Sequence, residues 1–335
     1  LNEVFALVVS PDSSISHPLN GFVQPQEVTD FMCKIASFPE NVTVYNPFAG
    51  ADSYAVALPN HVVGEEINRT IWALGQIRLY ANLADKRADI ILGDSFESIK
   101  SNEKFKAIIT SPVYLMEEGH EISDIVRMLY GKLEDGGKLA CIVSANFLFR
   151  KHNKVRTLRE TLIKDKAIST IVMIPSNIFT GSSIAQAAIV LTKGVKNEEI
   201  HFGDASGHTR FAKSIYRETT FDLESFMEAF EADIVDTQEG YEPCEDQTGI
   251  AVPYDKLVGS DLTPSIYLAP KPENGEPLSY LAEEVLELRG KDISAEYFLT
   301  GSSIPAAMHC KPFVPVKIED GKLSTAKKYV QVPEN

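Results

Sequence analysis

Small and acidic residues follow three neighbouring apolar runs of this chain, at the points where strands would end. The run at 42–45 (VTVY) leads into 46–53 (NPFAGADS), a second ends in Glu65 and Glu66, and a third in 93–95 (GDS). Small residues let a ligand approach the backbone, and carboxylates suit ribose hydroxyls or an exocyclic amine. Singly, a tight turn and helix-capping or surface acids explain them as well. Their order favours a site for an adenosine-containing cofactor.

Short apolar runs alternating with amphipathic stretches must position these residues. Seven runs read as strands, at 42–45, 61–64, 88–92, 105–109, 138–143, 169–174 and 187–192. Helical spacing occupies 27–37, 68–83, 122–133 and 155–164. Most strand runs are continuously apolar, as in strands covered on both faces. The pattern predicts an α/β fold with a doubly wound, mostly parallel, seven-stranded sheet between about residues 42 and 193.

The fourth strand run ends in Ser111, Pro112, Val113 and Tyr114. This tetrapeptide resembles the (Asp/Asn/Ser)-Pro-Pro-(Tyr/Phe) motif of amino-methyltransferases. More specifically, residues 21–194 resemble N6-adenine DNA methyltransferases, in the form found in modification subunits of type I restriction-modification systems. The resemblance implies a class I S-adenosylmethionine-dependent methyltransferase fold.

Further motifs of that family occur in order along the chain. Residues 21–28 are similar to GxFYTPxxV, 46–53 to DPxxGxGG, 64–68 to GxEIN, 93–96 to GDxL, 133–140 to LxxGGRxA and 146–149 to GxLF. The resemblance implies that S-adenosylmethionine is the cofactor. The implied cofactor-binding residues are Phe22, Gln24, Pro25, Asn46, Pro47, Gly50, Glu66, Asp94 and Ser95.

The implied catalytic residues are Ser111, Pro112 and Tyr114, acting on an adenine flipped out of double-stranded DNA. Hydrogen bonds from the adenine amine to the Ser111 side chain and the Pro112 carbonyl would favour a pyramidal nitrogen that attacks the methyl group in line. The Tyr114 ring would hold the base by stacking. This chemistry needs no metal.

Four residues depart from the family pattern. Asp52 replaces a glycine of the cofactor turn and would crowd or repel the methionine carboxylate, Asn46 replaces an aspartate, and Val113 replaces a proline. Ser111 offers a shorter side chain than Asn or Asp, and cytosine-N4 relatives also use serine there. The departures leave an alternative open, a degenerate subunit with a structural or DNA-binding role.

The most basic stretch of the chain follows the fifth strand run. Its proposed DNA-binding residues are Arg150, Lys151, Lys154 and Arg156, which would contact phosphates without reading sequence. A solvated basic helix, partly paired by Glu160, explains them too. The formal net charge of −15, from 32 Lys and Arg against 47 Asp and Glu, argues against a protein that coats nucleic acid. It is compatible with one basic face.

The composition of the chain excludes several classes of protein and indicates where the protein acts. Its 335 residues are 44% hydrophobic and 24% charged, which excludes disordered and disulfide-scaffold classes. No apolar run approaches the ~20 residues of a membrane helix, so no membrane partner is expected. Cys33, Cys141, Cys244 and Cys310 are widely spaced and show neither metal-site spacing nor a disulfide framework. We therefore expect reduced thiols in the cytoplasm.

Composition also suggests an order of domains. We expect an N-terminal helical segment at 1–40, a methyltransferase domain at 41–216, an acidic helix and linker at 217–276, and the start of a DNA-specificity-like module at 277–335. Because the chain begins with Leu1, it reads as part of a longer polypeptide. The expected partners are double-stranded DNA and specificity subunits or fused domains, with restriction subunits as further partners.

Overall fold

A computed structural model of the chain describes residues 24–99, 102–112, 121–179, 184–211, 219–237 and 247–269, and the backbone of three short strands at 297–299, 316–317 and 330–331. The chain divides into two compact units, Leu1–Pro270 and Lys271–Asn335. In the second unit, β12 (Tyr297–Leu299) pairs antiparallel with both β13 (Val316–Lys317) and β14 (Val330–Gln331).

The first unit is built on one large sheet. Its strands are β1 (Val44–Asn46), β2 (Val62–Glu66), β3 (Ala88–Leu92), β4 (Phe105–Thr110), β5 (Leu133–Ser144), β6 (Ile168–Ile174), β7 (Gln186–Thr192), β8 (Glu199–Asp204) and β11 (Gly249–Pro253). They lie in the order β11-β8-β6-β7-β5-β4-β1-β2-β3. A separate antiparallel pair joins β9 (Thr209–Phe211) to β10 (Thr219–Phe221).

Strands β1 to β5 run parallel to one another, whereas β7 is antiparallel to β5 and β6. From β1 the chain winds outward through β2 and β3, then returns to β4 on the other side of β1. The point between β1 and β4 is therefore the topological switch point, where folds of this class bind ligands beyond the carboxyl ends of the strands. This confirms the predicted doubly wound, mostly parallel α/β fold.

Helices cover both faces of the sheet. They are α1 (Gln26–Ala36), α2 (Ser53–Ala57), α3 (Arg69–Ala81), α4 (Ser95–Ile99), α5 (Ile122–Lys132), α6 (Asn146–Phe149), α7 (Asn153–Lys164), α8 (Leu223–Thr237) and α9 (Pro264–Leu268). Short 3-10 turns lie at Asp85–Arg87 and Tyr254–Lys256.

Successive side chains of each strand point to opposite faces, so the strands feed two apolar cores. One core contains Phe31 of α1 and Phe226 of α8, the other contains Leu129 of α5 and Leu162 of α7. This two-sided burial is why the strand runs are continuously apolar rather than alternating.

The sheet has nine strands where seven were predicted. Both additional strands, β8 and β11, lie at one edge, and β11 lies within the 217–276 segment that was predicted to be a helix and linker. Its residues Ile250, Ala251 and Val252 are buried against β8 and α8, because an apolar run of this length next to an open edge gains from pairing. Otherwise the domain boundaries stay predictions.

Two sequence expectations are refined by the described residues. Strand β3 lies at the opposite sheet edge and exposes Ile91 at 57%, so it is not covered on both faces. Cys33 and Cys141 are free thiols, whereas Cys244 and Cys310 lie outside the described residues. Within the described ranges, no helix is long and apolar enough to cross a membrane.

Candidate cofactor and base-binding site

The turn after β1 is tied to the ends of both neighbouring strands. The Gly50 N–H donates to Glu66 Oε2 at 2.9 Å, and the Phe48 N–H donates to Ser95 Oγ at 3.0 Å. Gly50 adopts a φ of 59°, a left-handed conformation that glycine reaches without steric cost. These hydrogen bonds connect the three predicted strand-end motifs to one another.

Glu66 ends β2 and lies across this turn. Its Oε1 accepts from the Asn68 N–H at 2.6 Å, while Oε2 accepts from Gly50. Burial raises the pKa of the Glu66 carboxyl, and the backbone hydrogen bonds work in the opposite direction. A carboxylate offers about four acceptor positions, and backbone donors occupy only part of them, so the group can accept a further hydroxyl bond. The group therefore fits the predicted role toward a ribose.

Asp94 and Ser95 lie where β3 gives way to α4. Asp94 Oδ1 accepts from the Phe96 N–H at 2.9 Å, so this acid caps the helix. Helix capping was one of the two explanations that the sequence allowed for the strand-end acids. The rings of Phe48 and Phe96 lie 5.1 Å apart at 54°. This aromatic pair joins the β1 turn to α4. The sequence analysis missed it, although the two rings flank the predicted motifs.

Asn46 and Pro47 stand at the switch point. The Thr110 hydroxyl, at the end of β4, donates to the Pro47 carbonyl at 2.6 Å. Asn46 is 1% exposed, and its Nδ2 has no hydrogen-bond partner among the described residues. A buried donor without a partner carries a desolvation penalty that a bound acceptor would remove. This unsatisfied amide is the observation that best fits a polar ligand at the turn.

The Asp52 side chain is directed away from solvent and toward α3. It is 0% exposed, and a Cβ placed on Gly75 of α3 would lie 2.3 Å from its Oδ2. The carboxyl therefore occupies space that only a glycine in α3 leaves open. The crowding expected at the cofactor turn does not follow from this position, because the carboxyl is buried beneath the helix.

Neither Asp52 oxygen has a hydrogen-bond partner among the described residues. Burial raises the pKa of Asp52 to about 8, an effect that the positive charge of Arg78 opposes and the charge of Glu66 reinforces. Arg78 instead donates to the Ala51 carbonyl at 3.0 Å and to Ser53 Oγ at 2.7 Å. We infer that Asp52 is largely protonated at neutral pH.

Ser111 and Pro112 follow β4 at the same edge of the sheet. Ser111 Oγ lies 2.5 Å from the hydroxyl of Tyr54, which also contacts the Gln24 side chain. Pro25, beside Gln24, accepts at its carbonyl from the Val28 and Thr29 N–H groups at the start of α1. The sequence analysis missed Tyr54, because its partner in the catalytic motif lies 57 residues along the chain.

Three residues of the predicted motifs, Phe22, Val113 and Tyr114, lie outside the described residues. Gln186, at the first position of β7, is buried with an Nε2 that has no partner in the described part of the chain. Because it pairs with Ser144 at the end of β5, it lies at the same edge as Ser111.

The four proposed DNA-binding residues are exposed around the start of α7. Lys154 lies 3.8 Å from Asp124 and Arg156 lies 3.5 Å from Glu160, as ion pairs on the surface. Arg159 of the same stretch is buried and donates to the carbonyls of Ser260, Phe147 and Arg150. Its role is therefore structural, holding the segment that carries Arg150.

Among the side chains in the described ranges, no group of three or more His, Cys, Asp or Glu is positioned to hold a metal ion. The chemistry of the site is instead that of buried amides, hydroxyls and carboxyls at the ends of β1 to β4.

Comparison with known proteins supports the resemblance seen in the motifs. Residues 117–251 match the family described as N-6 DNA Methylase. The chain is also 23% identical over 256 residues to the type I restriction enzyme MpnII methylase subunit of Mycoplasma pneumoniae, an alignment that covers 62% of this chain and 47% of that protein. The chain thus spans about half the length of this relative.

Solved structures with the same fold include the type I restriction-modification system methyltransferase subunit from Streptococcus thermophilus, with a TM-score of 0.59 at 20% identity over 74% of this chain and 59% of that one. A structure that describes complex assembly and conformational transition of the type I R-M system matches with a TM-score of 0.61. The match has 16% identity and covers 83% of this chain and 64% of that one. Together with the family match, these findings confirm the predicted resemblance to type I modification subunits.

Proposed function

We propose that this chain, which resembles type I modification subunits, is a DNA adenine-N6 methyltransferase domain of a restriction-modification system. The observation that carries the proposal is the hydrogen-bonded set of groups at the carboxyl edge, which joins the turn after β1 to the ends of β2, β3 and β4. An adenosine-containing methyl donor and a planar amine could meet at this edge.

S-adenosylmethionine is the proposed cofactor, and it supplies an electrophilic methyl group when bound. Among the described residues, Gln24, Pro25, Asn46, Pro47, Gly50, Glu66, Asp94 and Ser95 are proposed to hold it. Glu66 would accept from the ribose hydroxyls, and Asp94 from the adenine amine of the cofactor. Support comes from the unpartnered amide of Asn46, a donor within the turn.

The proposed chemistry falls to the residues after β4. The Ser111 oxygen and the Pro112 carbonyl accept hydrogen bonds from the amine of the target base, which directs the nitrogen lone pair toward the methyl group. Bound S-adenosylmethionine would supply the methyl group to this nitrogen, which Ser111 and Pro112 would hold. Tyr114 is proposed to stack on the flipped base.

DNA is proposed to lie along the exposed residues Arg150, Lys151, Lys154 and Arg156. Arg150 and Lys151 follow the carboxyl end of β5, a strand parallel to β4, so they stand on the edge that carries Ser111. Their charges would position the duplex without reading bases. Specificity subunits or fused domains are proposed to supply recognition, restriction subunits are proposed as further partners, and the cytoplasm is the proposed location.

The alternative, a degenerate subunit without catalysis, rested in part on Asp52. That residue departs from the family glycine, yet its carboxyl lies beneath α3 against Gly75 and is buried. No described contact therefore favours the degenerate reading over the catalytic one.

The test is methyl transfer by the chain together with its specificity domain or subunit. The substrate is bacteriophage DNA propagated in a host without DNA methyltransferases, and the donor is radiolabelled S-adenosylmethionine. Incorporation that yields N6-methyladenine on hydrolysis, and that falls in Ser111→Ala and Tyr114→Ala, supports the proposal. N4-methylcytosine would reassign the target base. Binding of the donor without any transfer would favour the degenerate subunit.

A further inference from the structure

A buried tyrosine contacts the predicted catalytic serine. The Tyr54 hydroxyl lies 2.5 Å from Ser111 Oγ, 3.1 Å from Gln24 Nε2 and 3.3 Å from Gln24 Oε1. Tyr54 is 3% exposed, so water does not compete freely for these bonds. Its ring packs in the core on the α1 face, and its hydroxyl reaches the edge where Ser111 stands. Tyr54 therefore connects the N-terminal motif with the catalytic motif.

The Gln24 amide lies beyond Tyr54 and contacts its hydroxyl with both its nitrogen and its oxygen. The Thr29 hydroxyl donates to the Pro25 carbonyl at 3.2 Å, which leaves the Thr29 oxygen as an acceptor. Gln24 Nε2 donates to that oxygen at 3.1 Å. Gln24 Nε2 also donates to the Tyr54 oxygen at 3.1 Å, and Gln24 Oε1, at 3.3 Å, can accept the proton of the Tyr54 hydroxyl.

The chemistry of serine explains why such a partner is needed. Asparagine and aspartate present an oxygen that carries no proton, whereas the serine hydroxyl carries one and rotates. A base amine has only N–H groups to offer, so the Ser111 oxygen must accept and its own proton must point elsewhere. The Tyr54 oxygen, at 2.5 Å, is in position to take it.

We propose that Tyr54 is a positioning residue that accepts the Ser111 proton and thereby holds the Ser111 oxygen as the acceptor for the target amine. This inference rests on the proposed function. In this arrangement Ser111 donates to the Tyr54 oxygen, which also accepts from Gln24 Nε2, and the Tyr54 proton is directed to Gln24 Oε1. A chain ordered in this way polarises each member and strengthens the acceptor at its end.

The experiment is a double-mutant cycle on the chain with its specificity domain or subunit. Single-turnover methyl transfer to unmethylated bacteriophage DNA is measured for Tyr54→Phe, Ser111→Ala and the double variant. Loss of one buried hydrogen bond predicts a rate about 5- to 30-fold lower for Tyr54→Phe. The double variant should be no slower than Ser111→Ala, because Tyr54 acts through the Ser111 hydroxyl.

Losses that multiply in the double variant would overturn the inference, since Tyr54 would then act independently of Ser111. Calorimetry should give Tyr54→Phe the same affinity for S-adenosylmethionine as the parent, and a weakened affinity would likewise assign Tyr54 to the cofactor site. A parent that transfers no methyl group would refute the proposed function itself, a result distinct from multiplying losses.

A matched control removes another tyrosine hydroxyl that bonds within the protein. Tyr254 is partly buried, bonds to the backbone of Ile168, donating at 2.6 Å and accepting at 2.9 Å, and packs against the opposite core. Tyr254→Phe should leave methyl transfer unchanged. Should Tyr54→Phe fail to fold, Gln24→Met tests the chain of bonds from its other end. Because Gln24 is also a proposed cofactor-binding residue, methyl transfer is measured at S-adenosylmethionine concentrations that saturate each variant. Gln24→Met should slow transfer in the parent and add no loss to Ser111→Ala, and an added loss there would overturn the inference.

Discussion

Replacing Asp52 with asparagine should remove a large part of the pH dependence of folding stability. The Asp52 carboxyl is fully buried, its oxygens have no hydrogen-bond partner in the described part of the chain, and burial raises its pKa to about 8. In the unfolded chain an aspartate has a pKa of about 3.9. Asparagine fits the left-handed φ of 57° at this position and has nearly the same shape.

The sign of the change in stability with pH follows from how many protons the folded and the unfolded protein bind. Between the unfolded and the folded pKa, the native protein holds a proton on Asp52 that the unfolded chain has released, so stability falls as pH rises. The slope approaches about 1.4 kcal/mol per pH unit for one group. Between about pH 5.5 and about pH 7.5 this amounts to about 2–3 kcal/mol.

The assay is denaturant unfolding of the parent and of Asp52→Asn at a series of pH values. The quantity of interest is the difference between the two free energies of unfolding, because other titrating groups and any constant packing change cancel from its pH dependence. This difference should grow in favour of the variant by about 2–3 kcal/mol over the two pH units, or roughly 4–12 °C in the midpoint of thermal unfolding.

Asp85 provides a control, because it is exposed in the short turn before β3. Asp85→Asn should differ from the parent by a constant amount over this range. Parallel curves for Asp52→Asn and the parent would refute the reasoning, since Asp52 would then ionise in the folded protein much as in the unfolded chain. That result would require Arg78 to approach the carboxylate more closely than its bonds to Ala51 and Ser53 indicate.

Three further predictions concern the same unit. Gly75→Ala should destabilise the fold by about 1–3 kcal/mol in denaturant unfolding, because the added Cβ would meet the carboxyl oxygen beneath α3 at 2.3 Å. Glu66→Gln should weaken S-adenosylmethionine binding about 10-fold in calorimetry, because the amide replaces one acceptor oxygen with a donor. Replacing Arg150 and Lys151 together with alanine should make the salt dependence of DNA affinity shallower by about 2 in log–log slope, by fluorescence anisotropy.

Matched variants sharpen these tests. Gly131→Ala in α5 meets nothing within 4 Å, so it should stabilise by up to about 1 kcal/mol, and a loss as large as that of Gly75→Ala would contradict the packing argument. Lys86→Ala, exposed before β3 at the other edge of the sheet, should leave the salt slope unchanged. If Glu66→Gln binds the cofactor as the parent does, the carboxylate has no part in the proposed site.

The sequence predicted the strands of the parallel sheet with small errors in their ends. Runs such as 88–92 and 105–109 are apolar enough to be read directly, and each coincides with a strand, β3 and β4. Because parallel strands align their carboxyl ends, the order of the motifs along the chain was sufficient to place Glu66, Asp94 and Ser111 at one edge. The strand at 249–253 was missed because its pairing with β8 depends on a sheet edge that no local pattern reveals.

The contacts of individual side chains needed the tertiary structure. Asp52 is a departure from a motif in the sequence, and only the packing of α3 shows that its carboxyl lies against Gly75. Arg159 reads as one more cation of a basic stretch, yet it is buried and bonded to three carbonyls. The sequence reports the type of a side chain, whereas its surroundings fix its charge, pKa and partners.

Tyr54 is the clearest example of a residue whose contacts the sequence does not reveal. Its sequence neighbours place it in a short helix after the cofactor turn, where it reads as an ordinary core aromatic. Its hydroxyl meets Ser111, 57 residues away, and Gln24, 30 residues away. The sequence by itself determined the fold and the edge at which the chemistry is proposed, because these follow from local apolar runs and strand order. Only the tertiary structure decided which hydroxyl stands beside Ser111, because that contact joins three segments through the folding of the sheet.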